Sequence, residues 1–231
     1  DILNVTKEEL GAMTEWEFGQ RFIKGQQPFV MRGALPRDTE LASDESLVRA
    51  FDKTHAVLMV EDWTNHTING LIDDENGRKG TPFGASAWDF VADAYDHPVY
   101  VITNYTIAET PPAGIENVDL PAIIVKVIRQ SWLSVLSAIW WSASGANTHW
   151  HMDDWMPNFI FNFDGHKTVH IIDAGDMKNM YLQLSNRPGD PFGDTDGRSP
   201  VDKRGSGFDD PRFPRAKRVR PMRADLGPGD I

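Results

Sequence analysis

The chain of 231 residues contains no cysteine. That absence excludes disulfide bonds, thiolate-bound zinc and a cysteine nucleophile together. It leaves the compartment open, because a chain without thiols needs neither oxidising nor reducing surroundings. Long hydrophobic runs are missing too. The most apolar stretch, Pro121 to Trp141, is broken by Lys126, Arg129 and Gln130, which suits a buried amphipathic helix better than a bilayer span. Basic residues are outnumbered, 23 Lys and Arg against 34 Asp and Glu, for a formal net charge of −11. Phosphate backbones and anionic lipid repel such a chain as a whole, so neither nucleic acid nor a membrane is an expected partner.

What is present is ordinary for a soluble globular protein, with 40% hydrophobic and 25% charged residues. The length suits one sizeable core, and the chain is read as a single domain over residues 1–231. It opens on Asp1 rather than Met and is read as a trimmed piece. Three formal glycosylation triplets, Asn4-Val5-Thr6, Asn65-His66-Thr67 and Asn104-Tyr105-Thr106, add slight weight for a secretory compartment.

Residues 1–137 read as a mixed, helix-containing part. Thr14-Glu15-Trp16-Glu17 is a capping box, followed by Phe18 and Phe22 four apart with Ile23 beside them; Gly19 weakens this helix. A strand is expected at Pro28–Met31, a helix capped by Asp44 and a strand at Ala56–Val60. The polar stretch Asn65–Gly84 reads as a loop, Ser86–Tyr95 as a helix and Val99–Ile102 as a strand. A further helix is expected near Ala122–Leu136. From residue 138 the pattern turns β-rich. Strands are expected at Ala138–Ala143, Asn158–Phe163 and Thr168–Ile172, the last two joined by a tight hairpin at Asp164-Gly165. A long loop over 185–214 precedes a last strand, Val219–Leu226, and the turn Gly227-Pro228-Gly229-Asp230. Helices first and a β-rich half afterwards argue an α+β fold, its sheet closed into a barrel or sandwich.

The chemistry concentrates in Thr148-His149-Trp150-His151-Met152-Asp153. His151 and Asp153 are two apart, so an extended backbone points both to one face. One imidazole and one carboxylate arranged in this way supply two of the three protein ligands in the facial site of non-haem Fe(II) oxygenases. Such a triplet also arises by chance in many proteins. Its surroundings carry more: Ser144-Gly145-Ala146-Asn147-Thr148 before it, Asn158-Phe159 after it, then Gly165-His166-Lys167. The tail adds Ser199-Pro200-Val201-Asp202, Phe213-Pro214 and Leu226-Gly227-Pro228-Gly229-Asp230.

This ordered set resembles the JmjC-type, cupin-like hydroxylase family over residues 138–231, and Pro28-Phe29-Val30-Met31-Arg32-Gly33 resembles that family's looser opening. The resemblance implies a double-stranded β-helix, a cupin or jelly-roll-like barrel, with N-terminal helices and strands packed on it. Residues 138–231 would form the β-helix core, ending before its last strands. It also implies an Fe(II)- and 2-oxoglutarate-dependent dioxygenase, a hydroxylase, with a protein or peptide side chain as the preferred substrate. His151 and Asp153 would be the metal ligands, with no catalytic residue beyond the metal site. Lys167 would pair with the distal carboxylate of 2-oxoglutarate, Thr148 would donate a hydrogen bond to it, and Asn158 would lie beside the cosubstrate. A buried dicarboxylate needs such a cation and such donors, or its desolvation goes uncompensated.

One departure stands out. The family completes its site with a second His after the Pro-Gly-Asp turn, so that ligand is expected beyond Ile231. Of the nearby histidines, strand alternation puts His166 and His170 on the face opposite Lys167. The rival reading is a non-catalytic cupin-like binding or structural subunit with a decayed or incomplete iron site. A metal-binding cupin of isomerase or lyase type is a third, which Lys167 and Thr148 disfavour.

Other features have plainer readings. Trp140 and Trp141 are expected to pack in the core, while Trp150 and Trp155 stay open between core and cleft. The acid-free basic run of Arg212, Arg215, Lys217, Arg218, Arg220 and Arg223 could meet an anionic substrate, but is read as a charged edge strand. The Asp-rich stretch Asp190–Asp210 matches no EF-hand spacing.

Overall fold

The computed structural model describes residues 1–37, 43, 45, 59–62, 81–82, 99–106, 119–130, 136–142, 150–152, 158–184, 197–201 and 207–231. The expected helices near Asp44 and at Ser86–Tyr95, and the polar stretch 65–80, lie outside them. No helix among the described residues is long and apolar enough to cross a membrane.

Two capping boxes set the N-terminal helices. Thr6 caps α1 (Lys7–Ala12), its hydroxyl accepting from the Glu9 N–H while the Glu9 carboxylate returns a bond to the Thr6 N–H. Thr14 and Glu17 do the same for α2 (Glu15–Phe18), as the sequence predicts. At Gly19 the chain widens into a π-helical turn, Gly19–Lys24, which Gly25 closes by donating to the Gln20 carbonyl at 3.0 Å. A β-carbon on Gly25 would lie 2.6 Å from the Arg21 carbonyl oxygen, so only glycine fits there. Phe18 and Phe22 are buried, whereas Ile23 is 41% exposed. The two rings pack with Phe29 in tilted and edge-on pairs, Phe18–Phe22 at 5.1 Å, Phe22–Phe29 at 4.6 Å and Phe18–Phe29 at 6.3 Å between centroids.

Phe29 belongs to β2 (Phe29–Val30), which pairs in parallel with β1 (Leu3–Asn4). Asn4 is exposed and its side-chain oxygen accepts from Arg32 Nε at 3.2 Å. The helix α3 (Ala122–Gln130) buries Ile123 and Ile124 in the same core as Val5, Leu10, Phe18, Phe22, Met31, Leu35 and Ile231. Ion pairs between Lys7 and Asp119 and between Lys126 and Glu15 flank that contact.

A four-stranded antiparallel sheet has the order β4-β3-β5-β6. Its strands are β3 (Met59–Asp62), β4 (Thr81–Pro82), β5 (Val99–Thr106) and β6 (Leu136–Ser142). β3 and β5 start or run further than the sequence predicts, and β4 falls inside the stretch read as a loop. Asn104 lies within a paired strand, opposite Ala138, rather than in a loop where a glycosylation acceptor belongs.

Three further strands, β7 (His151–Met152), β9 (Gln183–Leu184) and β10 (Gly197–Arg198), form a sheet in the order β7-β10-β9. A last pair joins β8 (Lys167–Ile171) to β11 (Met222–Leu226) in antiparallel register. The long-loop reading of 185–214 therefore needs correcting, because β10 and a 3₁₀ turn at Gly207–Asp209 fall inside it.

The expected hairpin at Asp164-Gly165 is not formed. Gly165 does turn the chain, at φ +66°, but residues 158–163 make no ladder with β8. Their backbone bonds go elsewhere: Asn162 N–H donates to the Asp230 carbonyl at 2.9 Å and Gly229 N–H to the Asn162 carbonyl at 2.8 Å. The alternation is nonetheless real. Phe159, Phe161 and Phe163 pack on the helical core, and Ile160 packs on the opposite side with Val30, Val169, Ala224 and Leu226. This extended segment separates two apolar layers.

Candidate functional site

The site is best built from β8. Register pairs Lys167 with Leu226, Val169 with Ala224 and Ile171 with Met222. Directly opposed residues share a face, and Ala224 and Leu226 are buried. Lys167 is half-buried, on the face of the pair that carries Val169, Ala224 and Leu226. Its methylene stem can lie along that wall. The other face is polar. Thr168 Oγ1 donates to Asp225 Oδ1 at 2.7 Å, and Arg223 donates to the same carboxylate at 2.8 Å. Those bonds, from Arg223 first and Thr168 second, hold the Asp225 carboxyl below its usual range. His170 sits opposite Arg223 on this face, as strand alternation predicts.

Gly165-His166-Lys167 is followed in space by the turn after β11. Asp230 N–H donates to the Gly227 carbonyl at 3.2 Å and Gly229 adopts φ +91°, the geometry of a type II turn with Pro228 and Gly229 at its centre. The buried Asp230 carboxylate ties the turn to the N-terminal segment. It accepts from Gly227 N–H at 2.9 Å, Gly33 N–H at 3.0 Å and Arg32 Nη1 at 2.6 Å. Met31 and Ile231 then exchange both backbone hydrogen bonds, at 2.9 and 3.1 Å.

His151 opens β7 and is exposed. Asp153 and Thr148 lie outside the described residues, as do His149 and Trp155. Asn158 is exposed at the start of the extended segment. Among the described residues no three His, Asp or Glu side chains converge. His151 and Lys167 stand on different sheets. As a donor set, the imidazole and carboxylate of His151-Met152-Asp153 suit Fe(II), and Lys167 suits an anion.

Trp150, just before His151, is buried rather than lining a cleft. It packs with Met180, Val201, Ala216 and Val219, with its ring 5.8 Å from Phe208 and 6.1 Å from His170. Ser199 N–H donates to the Trp150 carbonyl at 2.9 Å. Ser199 Oγ donates in turn to the Met180 carbonyl at 2.5 Å. The Ser199-Pro200-Val201 motif thus anchors the backbone leading into His151, a role the sequence reading did not assign. The signal was the apolar Trp150 directly before His151.

The basic run is not an edge strand. Residues 211–221 form turns and a 3₁₀ segment, Ala216–Arg218, and only Arg223 lies in β11. Backbone bonds from Arg218 N–H to Arg215 and from Val219 N–H to Ala216 fold the segment on itself, leaving no ladder edge to protect.

A family described as a cupin-like domain matches residues 15–231. The chain belongs to that family. Membership implies a jelly-roll, double-stranded β-helix, and this cupin-like domain is of the JmjC type whose residues the sequence displays. The family often comprises 2-oxoglutarate oxygenases. Among the described residues the sheets of this cupin-like domain stay separate and do not close into a barrel. No curated protein matches the chain.

Proposed function

We propose that this cupin-like domain is an Fe(II)- and 2-oxoglutarate-dependent dioxygenase that hydroxylates a protein side chain. The observation that carries the reading is Lys167, a cation held on the Val169 face of β8 opposite Leu226. The resemblance puts the distal carboxylate of 2-oxoglutarate at this position, and a lysine ammonium suits a carboxylate. His151 and Asp153 would hold the iron, Thr148 and Asn158 would flank the cosubstrate, and Lys167 would fix its far end. Fe(II) with 2-oxoglutarate, when bound, supplies the activation of O₂ for C–H hydroxylation. The protein's part is to hold the two together and keep the pocket dry. We read residues 1–231 as one domain, supported by Ile231 sharing its core with Val5 and Leu10.

The test is a titration of 2-oxoglutarate into the full-length protein loaded with Mn(II), followed by calorimetry. Saturable binding that requires the metal is expected. Metal binding with no 2-oxoglutarate binding would sink the reading and favour a non-catalytic binding subunit.

A further inference from the structure

The acid-free stretch from Arg212 to Arg223 is treated unevenly by its neighbours. Arg212 is paired with Asp210 at 2.7 Å and Arg223 with Asp225 at 2.8 Å, while Lys217 reaches Asp209 only at 3.9 Å. Among the described residues no carboxylate makes an ion pair with Arg215, Arg218 or Arg220. Arg215 lies over the Tyr181 ring at 4.2 Å, and its N–H donates to the Tyr181 hydroxyl at 3.1 Å. Arg220 Nη1 donates to the Lys217 and Val219 carbonyls at 2.8 and 3.0 Å. Arg218 is exposed. A ring face or a carbonyl orients a guanidinium but leaves its charge in place. The result is a fixed cluster of positive charge on a chain whose net charge is −11.

Its position is also fixed. Ala216 and Val219, inside the cluster, are buried against Trp150, the residue preceding His151. The register of β10 with β7 places a further basic position, Arg198, opposite His151 itself. The cations and the first metal-ligand candidate therefore share one packed unit.

We propose that the turn carrying Arg215, Lys217, Arg218 and Arg220 docks an acidic segment of the protein substrate. This rests on the hydroxylase reading above for the word substrate, and on the charge pattern for the docking. Guanidinium forks match carboxylates in bidentate geometry. A short acidic peptide meets only this patch, whereas a long polyanion would also meet the acidic remainder of the surface.

The experiment uses the whole chain, free of metal and 2-oxoglutarate, with a fluorescent Glu-Ser repeat peptide, its Gln-Ser counterpart and a poly-U RNA as probes. Anisotropy should show binding of the Glu-Ser peptide alone, weakened by salt. The double variant Lys217→Glu/Arg218→Glu, both sites being exposed, should bind it about tenfold more weakly or worse. Its 2-oxoglutarate titration should match the wild type, which confirms an intact fold. Equal peptide binding by wild type and variant overturns the proposal, as does tighter binding of the RNA. Peptide binding without 2-oxoglutarate binding would keep the docking surface and remove the hydroxylase. The reverse outcome would remove the docking surface alone.

Discussion

Asp230 reaches Arg32 across 198 residues of sequence, its Oδ2 accepting from the guanidinium at 2.6 Å while Oδ1 accepts from the Gly33 N–H. A carboxylate seven per cent exposed is thus satisfied by a turn on one side and a distant strand end on the other. Burial by itself would raise the Asp230 pKa, but the bonds from Gly227, Gly33 and Arg32 outweigh it and hold the carboxyl below its usual range.

A depressed folded pKa stabilises above the unfolded value of about 4 and loses that stabilisation as pH falls through the folded value. Asp230→Asn should therefore destabilise the fold at neutral pH, by about 1–3 kcal/mol for weakened charge-assisted bonds. Urea unfolding at pH 7 and at pH 3 measures the gap. It should shrink at the acid end; a gap that grows there would contradict the assignment.

Thr14→Ala removes the hydroxyl that accepts from the Glu17 N–H and should cost about 1 kcal/mol. Thr6→Ala at α1 should cost a similar amount, and the two should add, because each box is closed within its own turn. Thr14→Ser, which keeps the hydroxyl, should be nearly neutral. Thermal unfolding followed by circular dichroism checks all three.

Lys167→Met keeps the stem against the β8–β11 wall and removes the charge. It should weaken 2-oxoglutarate binding by about 2–5 kcal/mol, the cost of unpairing a buried anion, with metal affinity nearly unchanged. His151→Ala should do the opposite, abolishing metal binding while leaving the fold intact. The same calorimetric titrations separate the two. Identical losses in both variants would show that Lys167 acts through the metal rather than on the cosubstrate.

Much of the local structure is legible in the residues because its causes are local. The Thr14–Glu17 box, the left-handed Gly165 and the Pro228-Gly229 turn all follow from short-range rules. The failures share a different cause. Asp164-Gly165 has good hairpin chemistry, yet the segment before it takes its partners from Gly229 and Asp230, which no local pattern announces. The basic run has the composition of an edge strand, but Ala216 and Val219 find burial against Trp150 by folding into a 3₁₀ turn. The Thr6-Lys7-Glu8-Glu9 box obeys the same rule, with the Thr and Glu at the same spacing as in Thr14–Glu17. For the site, His151 and Lys167 are placed by their strands, whereas Asp153 and Thr148 rest on the sequence motif.

The exchange of backbone bonds between Met31 and Ile231 has a consequence for how the chain is made. Ile231 is part of the core that buries Leu10, Phe18 and Ile124, so α1 and α2 cannot finish packing until that residue has been made. Contacts of such sequence separation close slowly, because the loop entropy is spent before they form. The aromatic cluster of Phe18, Phe22 and Phe29 must wait, incompletely covered, until residues 227–231 have emerged, and in that interval it is a surface that chaperones would recognise.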